Sequence, residues 1–292
     1  MEALSTILNY LYQFVDSFSF LVLAALGLAI IFGMMGIINQ AHGEFIMLGA
    51  YVFTITRSAG IPYIICILFA TIFVAVFGLI IDRLIVCKLY DRPLDSIVAT
   101  FGISMVMTQG MRLIFGSSMP SPETPFGSVS VGGHSYSVYR LVLFAIAIIL
   151  LIVFFIYFMK TKAGLHSRAT IQNPEVAKSL GVNTNKAYAL TFMIGSGVAG
   201  LTGALYAPLQ SIAPDMGQGF VIQSYATVIV GGANPLIGTE LSGAVLGVVN
   251  GFLSLFGGQF AGRIGLLIAA IICIRVLPKG FSGLVEKHAR KG

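Results

Sequence analysis

Charge is the first thing this sequence lacks. Of its 292 residues only 10% are Asp, Glu, Lys or Arg, whereas 57% are hydrophobic and the mean hydropathy is +0.94. A soluble domain carries about 25% charged residues, so a water-facing surface cannot be built from this supply. Cysteine is scarce as well. Cys66, Cys87 and Cys273 are odd in number and lie in or near apolar segments, a pattern of small buried hydrophobes rather than a disulfide framework. Four histidines, at 42, 134, 166 and 288, are too scattered to build a metal site, and neither H-E-x-x-H nor G-x-S-x-G accompanies them. The sequence has no G-x-x-x-x-G-K-[ST] phosphate loop. Its start, MEALSTILNYLYQFVDSFSF, has no basic region ahead of the apolar stretch and does not read as a removable signal peptide.

What the chain has instead is membrane-length greasiness. Apolar segments fall near 17–38, 43–58, 61–82, 96–116, 138–159, 188–209, 220–234, 238–256 and 263–278. Runs of about 17–25 apolar residues cross a hydrocarbon core as helices, so the expected class is all-α, a polytopic helical membrane protein. A membrane barrel would alternate over strands of about ten residues. The expected count is eight or nine membrane segments, because the second and seventh are short enough to be half-helices. Spans fill so much of the chain that residues 1–292 read as one transmembrane domain.

Lys and Arg give the orientation. Most of the 17 gather in three places: Arg83, Lys88 and Arg92; then Lys160, Lys162, Arg168, Lys178 and Lys186; then Arg275, Lys279, Lys287, Arg290 and Lys291. Such loops stay cytoplasmic, while the first sixteen residues, free of Lys and Arg, suit the opposite side. The net charge of +6 is therefore a topology signal, and the partner it implies is the lipid bilayer, not nucleic acid. The stretch SSMPSPETPFGSVSVGGHSYS (117–137), rich in Ser, Gly and Pro, reads as an irregular external loop.

Three local patterns stand out. The first is IINQAHGEF (37–45), where Asn39, Gln40, His42 and Glu44 interrupt an apolar run. It reads either as a cytoplasmic turn or as a helix break along a pathway, since irregular backbone at membrane depth must be satisfied by protein or water. A weak echo follows later in the chain. Asn39-x-x-x-Gly43 with Gly49-Ala50 recurs as Asn234-x-x-x-Gly238 with Gly243-Ala244, which suggests an internal repeat with discontinuous helices and adds Asn234, Glu240 and Asn250 as pathway candidates. The second pattern is GSGVAGLTGAL, with Gly195, Gly197, Gly200 and Gly203. Inside an apolar run these serve close helix packing rather than a dinucleotide, and no cofactor is expected. The third is Asn173-Pro174-Glu175 in the longest basic loop, about 160–187. Asn caps, Pro opens a helix, Glu suits its N-terminus, and Gly181 stops it. A helix of barely two turns needs something to pack against.

At this point the sequence resembles a family. The short helix resembles the coupling segment of ABC importer permeases, with Glu175, Ala177 and Gly181 in the motif positions and Val176 where Ala is commoner. GLHSRATIQNPEVAKSLGVN followed by KAYALTFMIGSGVAGLTGALYAP, GIINQAHGEFIMLGAYV and VIVGGANPLIGTELSGAVLG are similar to LivH-type permeases of branched-chain amino acid importers. The resemblance spans nearly the whole chain. It implies a non-enzymatic permease subunit in a bacterial cytoplasmic (inner) membrane, working with a second homologous permease, two cytoplasmic ABC ATPase subunits and a periplasmic or surface substrate-binding protein. Asn173, Pro174, Glu175, Ala177 and Gly181 would form the ATPase-coupling helix. The cargo expected from the resemblance is branched-chain or related amino acids. YDRPLDSIVATFGIS (90–104) resembles urea and short-amide relatives, which stand as the alternative. A self-sufficient secondary transporter using Glu44 or Glu240, or an enzyme using His42 with Glu44, are the readings from other classes.

Overall fold

Each apolar run of the sequence has a helix as its main part. The computed structural model describes residues 2–283 apart from 91, 132, 133, 233, 234 and 279. Its helices are α1 (Glu2–Met35), α2 (His42–Ser58), α3 (Tyr63–Leu84), α4 (Pro93–Phe115), α5 (Val138–Lys160), α6 (Lys162–Gln172), α7 (Pro174–Ser179), α8 (Thr184–Tyr206), α9 (Met216–Gly231) and α10 (Pro235–Val276). Six stretches among the described residues are long and apolar enough to cross a membrane: α1, α3, α4, α5, α8 and α10. At 17 and 16 residues, α2 and α9 are shorter, as their sequence segments are. Within α10, Gly258 leaves helical geometry (φ 73°, ψ 179°), in the gap between the last two apolar runs. The chain doubles back there, since a Cβ on Gly262 would lie 2.8 Å from the Asn250 carbonyl oxygen. The protein is thus a multi-pass helical membrane protein.

The loop 117–137 is more ordered than its composition predicts. β1 (Ser128–Val131) and β2 (His134–Ser137) pair antiparallel, with Ser128 opposite Ser137 and Val131 opposite His134. Alternation in SVSV and HSYS supplies the period of two that a hairpin needs. The Tyr12 hydroxyl donates to the Ser137 carbonyl (3.2 Å) and accepts its N–H (2.9 Å), tying α1 to the hairpin.

The chain divides into two compact units. One holds residues 1–25, 124–152 and 223–292; the other holds 26–123 and 153–222. The core of the first gathers Leu21, Ala226, Val230, Leu246, Leu266 and Ala270. Polar stitches cross it: the Ser224 hydroxyl donates to the Ala24 carbonyl (2.8 Å), the Ser242 hydroxyl to the Thr227 carbonyl (2.7 Å), and Arg140 pairs with Asp16.

In the second unit α8 is enclosed. Of its most apolar stretch 72% is buried, against 22% for α3 and α4. Its glycines explain how neighbours come so near. A Cβ on Gly195 would lie 2.8 Å from the Gly27 carbonyl oxygen of α1, on Gly197 3.1 Å from Ala75 Cβ of α3, on Gly200 2.5 Å from Val74 Cβ, and on Gly203 2.8 Å from the Ala50 nitrogen of α2. Small residues let membrane helices approach at backbone distance. Outward faces are apolar in the opposite sense: Ile64 of α3 is 72% exposed and Leu113 of α4 87% exposed, surfaces that suit lipid rather than water. The helix hydroxyls are mostly self-satisfied. Thr54, Thr71, Thr191, Ser196 and Thr202 each donate to the carbonyl four residues back.

Candidate functional site

The interruption at 37–45 is a buried helix break. α1 ends at Met35, and Gly36 (φ +66°) turns the chain out with its N–H on the Phe32 carbonyl (2.8 Å). The next residues stay non-helical until α2 begins at His42. Asn39 holds the bend: its Oδ1 accepts from the Ala41 N–H (3.1 Å), and its carbonyl accepts from the His42 N–H (3.1 Å). α4 supplies one more partner. The Gln40 N–H donates to Thr100 Oγ1 (3.1 Å), while the Thr100 hydroxyl donates to the Ser96 carbonyl (2.7 Å). Replacing Thr100 by valine leaves the Gln40 N–H stranded, so thermal unfolding in detergent should show a loss of about 1–3 kcal/mol, with Thr100→Ser close to wild type.

Asn39 and His42 are fully buried and Glu44 is 2% exposed, all in the second unit, so the segment is not a solvated surface turn. Glu44 occupies the first turn of α2, where a negative charge meets the favourable end of the helix dipole. The Ser104 and Thr108 hydroxyls of α4 meet its carboxyl. Its Oε2 and the Asn39 Nδ2 have no hydrogen-bond partner among the described residues. A Cβ on Gly27 would come 3.1 Å from His42 Cε1, which puts the imidazole against α1. At Gly43 the backbone of α2 meets that of α9, since a Cβ there would lie 2.7 Å from the Gly217 carbonyl carbon.

The other sequence candidates are described within their own unit. Glu240 is exposed on α10. Asn250 is half-buried, its Nδ2 donating to Ser17 Oγ (3.3 Å), which is a helix-interface role. Both belong to the first unit. Asn234, like Lys279, Lys287, Arg290 and Lys291, lies outside the described residues. The α4 hydroxyls were missed in the sequence although their signal is plain: Ser96, Thr100, Ser104 and Thr108 recur every four residues, one face of a helix. The Arg-Pro-Leu-Asp stretch is an exposed helix start, with Arg92 and Asp95 3.7 Å apart and Pro93 in the first turn.

The basic loop 160–187 builds an arm from α6 and α7. Asn173 caps α7, its Oδ1 accepting the Val176 N–H (3.1 Å), and Pro174 opens it. Gly181 closes it at φ +85°, donating its N–H to the Lys178 carbonyl (2.9 Å), while the Val182 N–H reaches the Ala177 carbonyl (3.0 Å). Ala177 is the buried contact; Val176 and Leu180, 53% and 78% exposed, point apolar groups outward beside Glu175 and Lys178. Nearby, Tyr90 donates to Asp82 (2.7 Å) and meets Tyr188 of α8 edge-on (4.7 Å). Burial, and after it the bond to Asp82, push the Tyr90 phenol above its ordinary value, so it remains a donor at neutral pH.

Two features thus stand in the second unit: a buried polar break among packed helices, and a capped amphipathic arm. The family described as "Branched-chain amino acid transport system / permease component" matches residues 8–277. The high-affinity branched-chain amino acid transport system permease protein BraD of Pseudomonas aeruginosa is 27% identical over 96% of this chain and 98% of its own length. The probable branched-chain amino acid transport permease protein LivH of Methanocaldococcus jannaschii is 27% identical over 93% and 91%. A tyrosine transport system permease protein of Clostridioides difficile is 26% identical over 82% and 81%. No solved structure matches. With the family's pattern running from the first helix to the last, this chain belongs to the permease components of branched-chain amino acid transport systems.

Proposed function

We propose that this chain is the transmembrane subunit of an ABC importer for branched-chain or related amino acids. An external binding protein delivers the cargo, and separate cytoplasmic ATPases drive its passage. Residues 1–292 act as one permease domain in a bacterial inner membrane, paired with a second, homologous permease. The observation that carries this reading is α7: a two-turn helix, capped at both ends, that turns Val176 and Leu180 away from its own unit. A helix that short does not hold itself in water, so its exposed side suits a docking partner. Family membership points the same way, because its members are permease components. The names of the relatives above carry branched-chain amino acids or tyrosine, and nothing in the exposed Arg92–Asp95 pair favours urea.

The break at Asn39, His42 and Glu44 is the pathway segment in this reading. α2 and α9 are membrane segments alongside the six longer spans, and the two halves of α10 count separately, which gives nine. Gly36 (φ +66°) before Asn39 and Gly232 (φ +86°) before Asn234 support the idea of repeated helix breaks. Joint replacement His42→Ala with Glu44→Gln should lower uptake roughly tenfold, about 1.4 kcal/mol in barrier height, with insertion unchanged. Wild-type rates in that variant would make the break merely structural.

Vesicle reconstitution tests the whole. The permease with its partner permease, ATPases and leucine-loaded binding protein should accumulate leucine only when ATP reaches the ATPase side. Uptake by this chain alone, driven by an ion gradient, would replace the importer reading with a secondary transporter.

A further inference from the structure

A cavity of about 260 Å³ opens in the second unit between the end of α5, α6 and the start of α8. Its lining joins Lys186 at the start of α8 and His166 and Ser167 of α6 to the apolar Phe158, Leu190 and Ile194. Lys186 and His166 are exposed, and among the described residues no acidic one lines the space. Leu190 and Ile194 lie six and ten residues into the α8 span, about 9 and 15 Å along it at 1.5 Å per residue. With that span entering the bilayer at its Thr184 end, Lys186 falls at headgroup level and Leu190 and Ile194 at acyl level. Around it the arm from 160 to 186 carries Lys160, Lys162, Arg168, Lys178 and Lys186 against Glu175 alone. Basic pockets between spans on the cytoplasmic side are suited to anionic headgroups. A docked ATPase reaches the arm from water, not the depth of Ile194.

We propose that this cavity binds one anionic phospholipid, its phosphate on Lys186, His166 and Ser167 and an acyl chain descending past Leu190. Gly181 and Val182, where α7 ends, also line the cavity, so the lipid steadies the arm from behind. The proposal rests on the importer reading for its orientation and for its effect on transport, but not for the binding itself.

The test uses two readouts. In the first, native mass spectrometry counts phosphatidylglycerol retained by the purified full chain. Wild type should keep one more molecule than Lys186→Ala with His166→Ala, while Lys162→Ala, outside the cavity, keeps the wild-type number; Lys186→Arg should retain it. An equal count in wild type and the double variant overturns the site, whether or not transport is measurable. In the second, the full transporter is placed in phosphatidylcholine vesicles with increasing phosphatidylglycerol. Uptake should rise with the anionic lipid, and Lys186→Ala should need about fivefold more of it, the worth of one lysine contact. A variant that follows the wild-type curve overturns the regulatory role. Stimulation by inorganic phosphate in neutral vesicles would assign the cavity to a free anion instead of a lipid. Absence of ATP-driven uptake in every vesicle would count against the importer reading while the lipid count still judged the site.

Discussion

Replacing Gly203 with alanine should unseat α2 from α8 and leave little folded protein in the membrane. The added methyl would fall inside the Ile46 carbonyl oxygen and only 2.8 Å from the Ala50 nitrogen. Both obstacles are backbone of a buried helix, so neither yields by a rotamer change. Overpacking costs about 1–3 kcal/mol when side chains give way, and here they cannot. Gly110 of α4 is the control, because a Cβ there meets nothing within 4 Å. Gly110→Ala should be neutral or stabilising by up to about 1 kcal/mol, since alanine is the better helix former. Thermal aggregation followed by size-exclusion in detergent compares the two. If both variants melt with the wild type, the close approach of α2 to α8 is wrong.

Gly181→Pro should abolish most ATP-driven uptake while the protein still inserts and folds. Gly181 adopts φ +85° and gives its N–H to the Lys178 carbonyl. Proline fixes φ near −65° and has no N–H, a conflict of about 3 kcal/mol or more. A two-turn helix has no such reserve, so α7 loses its C-terminal stop and its aim, and uptake should fall more than about tenfold. The fold survives because position 181 is exposed and a Cβ there meets no neighbour within 4 Å, so the damage stays local to α7. Loss of the opposite cap in Asn173→Ala is milder, about 1 kcal/mol. Normal uptake in Gly181→Pro, at wild-type abundance, would remove α7 from the coupling role.

What could be read from the sequence was local. Asn173, Pro174 and Gly181 announce α7 because capping and turn chemistry act within a few residues, and the structure has each in the expected place. The apolar runs locate every long helix for the same reason, and the gap before residue 263 already hints at the reversal at Gly258. The hairpin 128–137 escaped because four-residue strands are too short to outweigh a Ser- and Gly-rich setting. The burial of Asn39 and Glu44 was undecidable from residues 37–45 themselves, since it depends on α4 and α9 closing over them. Thr100, Ser104 and Thr108 could have been found from their spacing of four, had α4 been read for its polar face as well as its apolar one.

The back-bonded hydroxyls of the second unit have a mechanical consequence. Thr54, Thr71, Thr191, Ser196 and Thr202 each place their proton on their own helix, four residues behind. Such a hydroxyl has its proton satisfied within its own helix. Where surfaces of this kind meet, helices can slide without giving up those bonds, so that part of a rearrangement costs little enthalpy. Along those faces, friction between the rods follows the shape of the glycine notches.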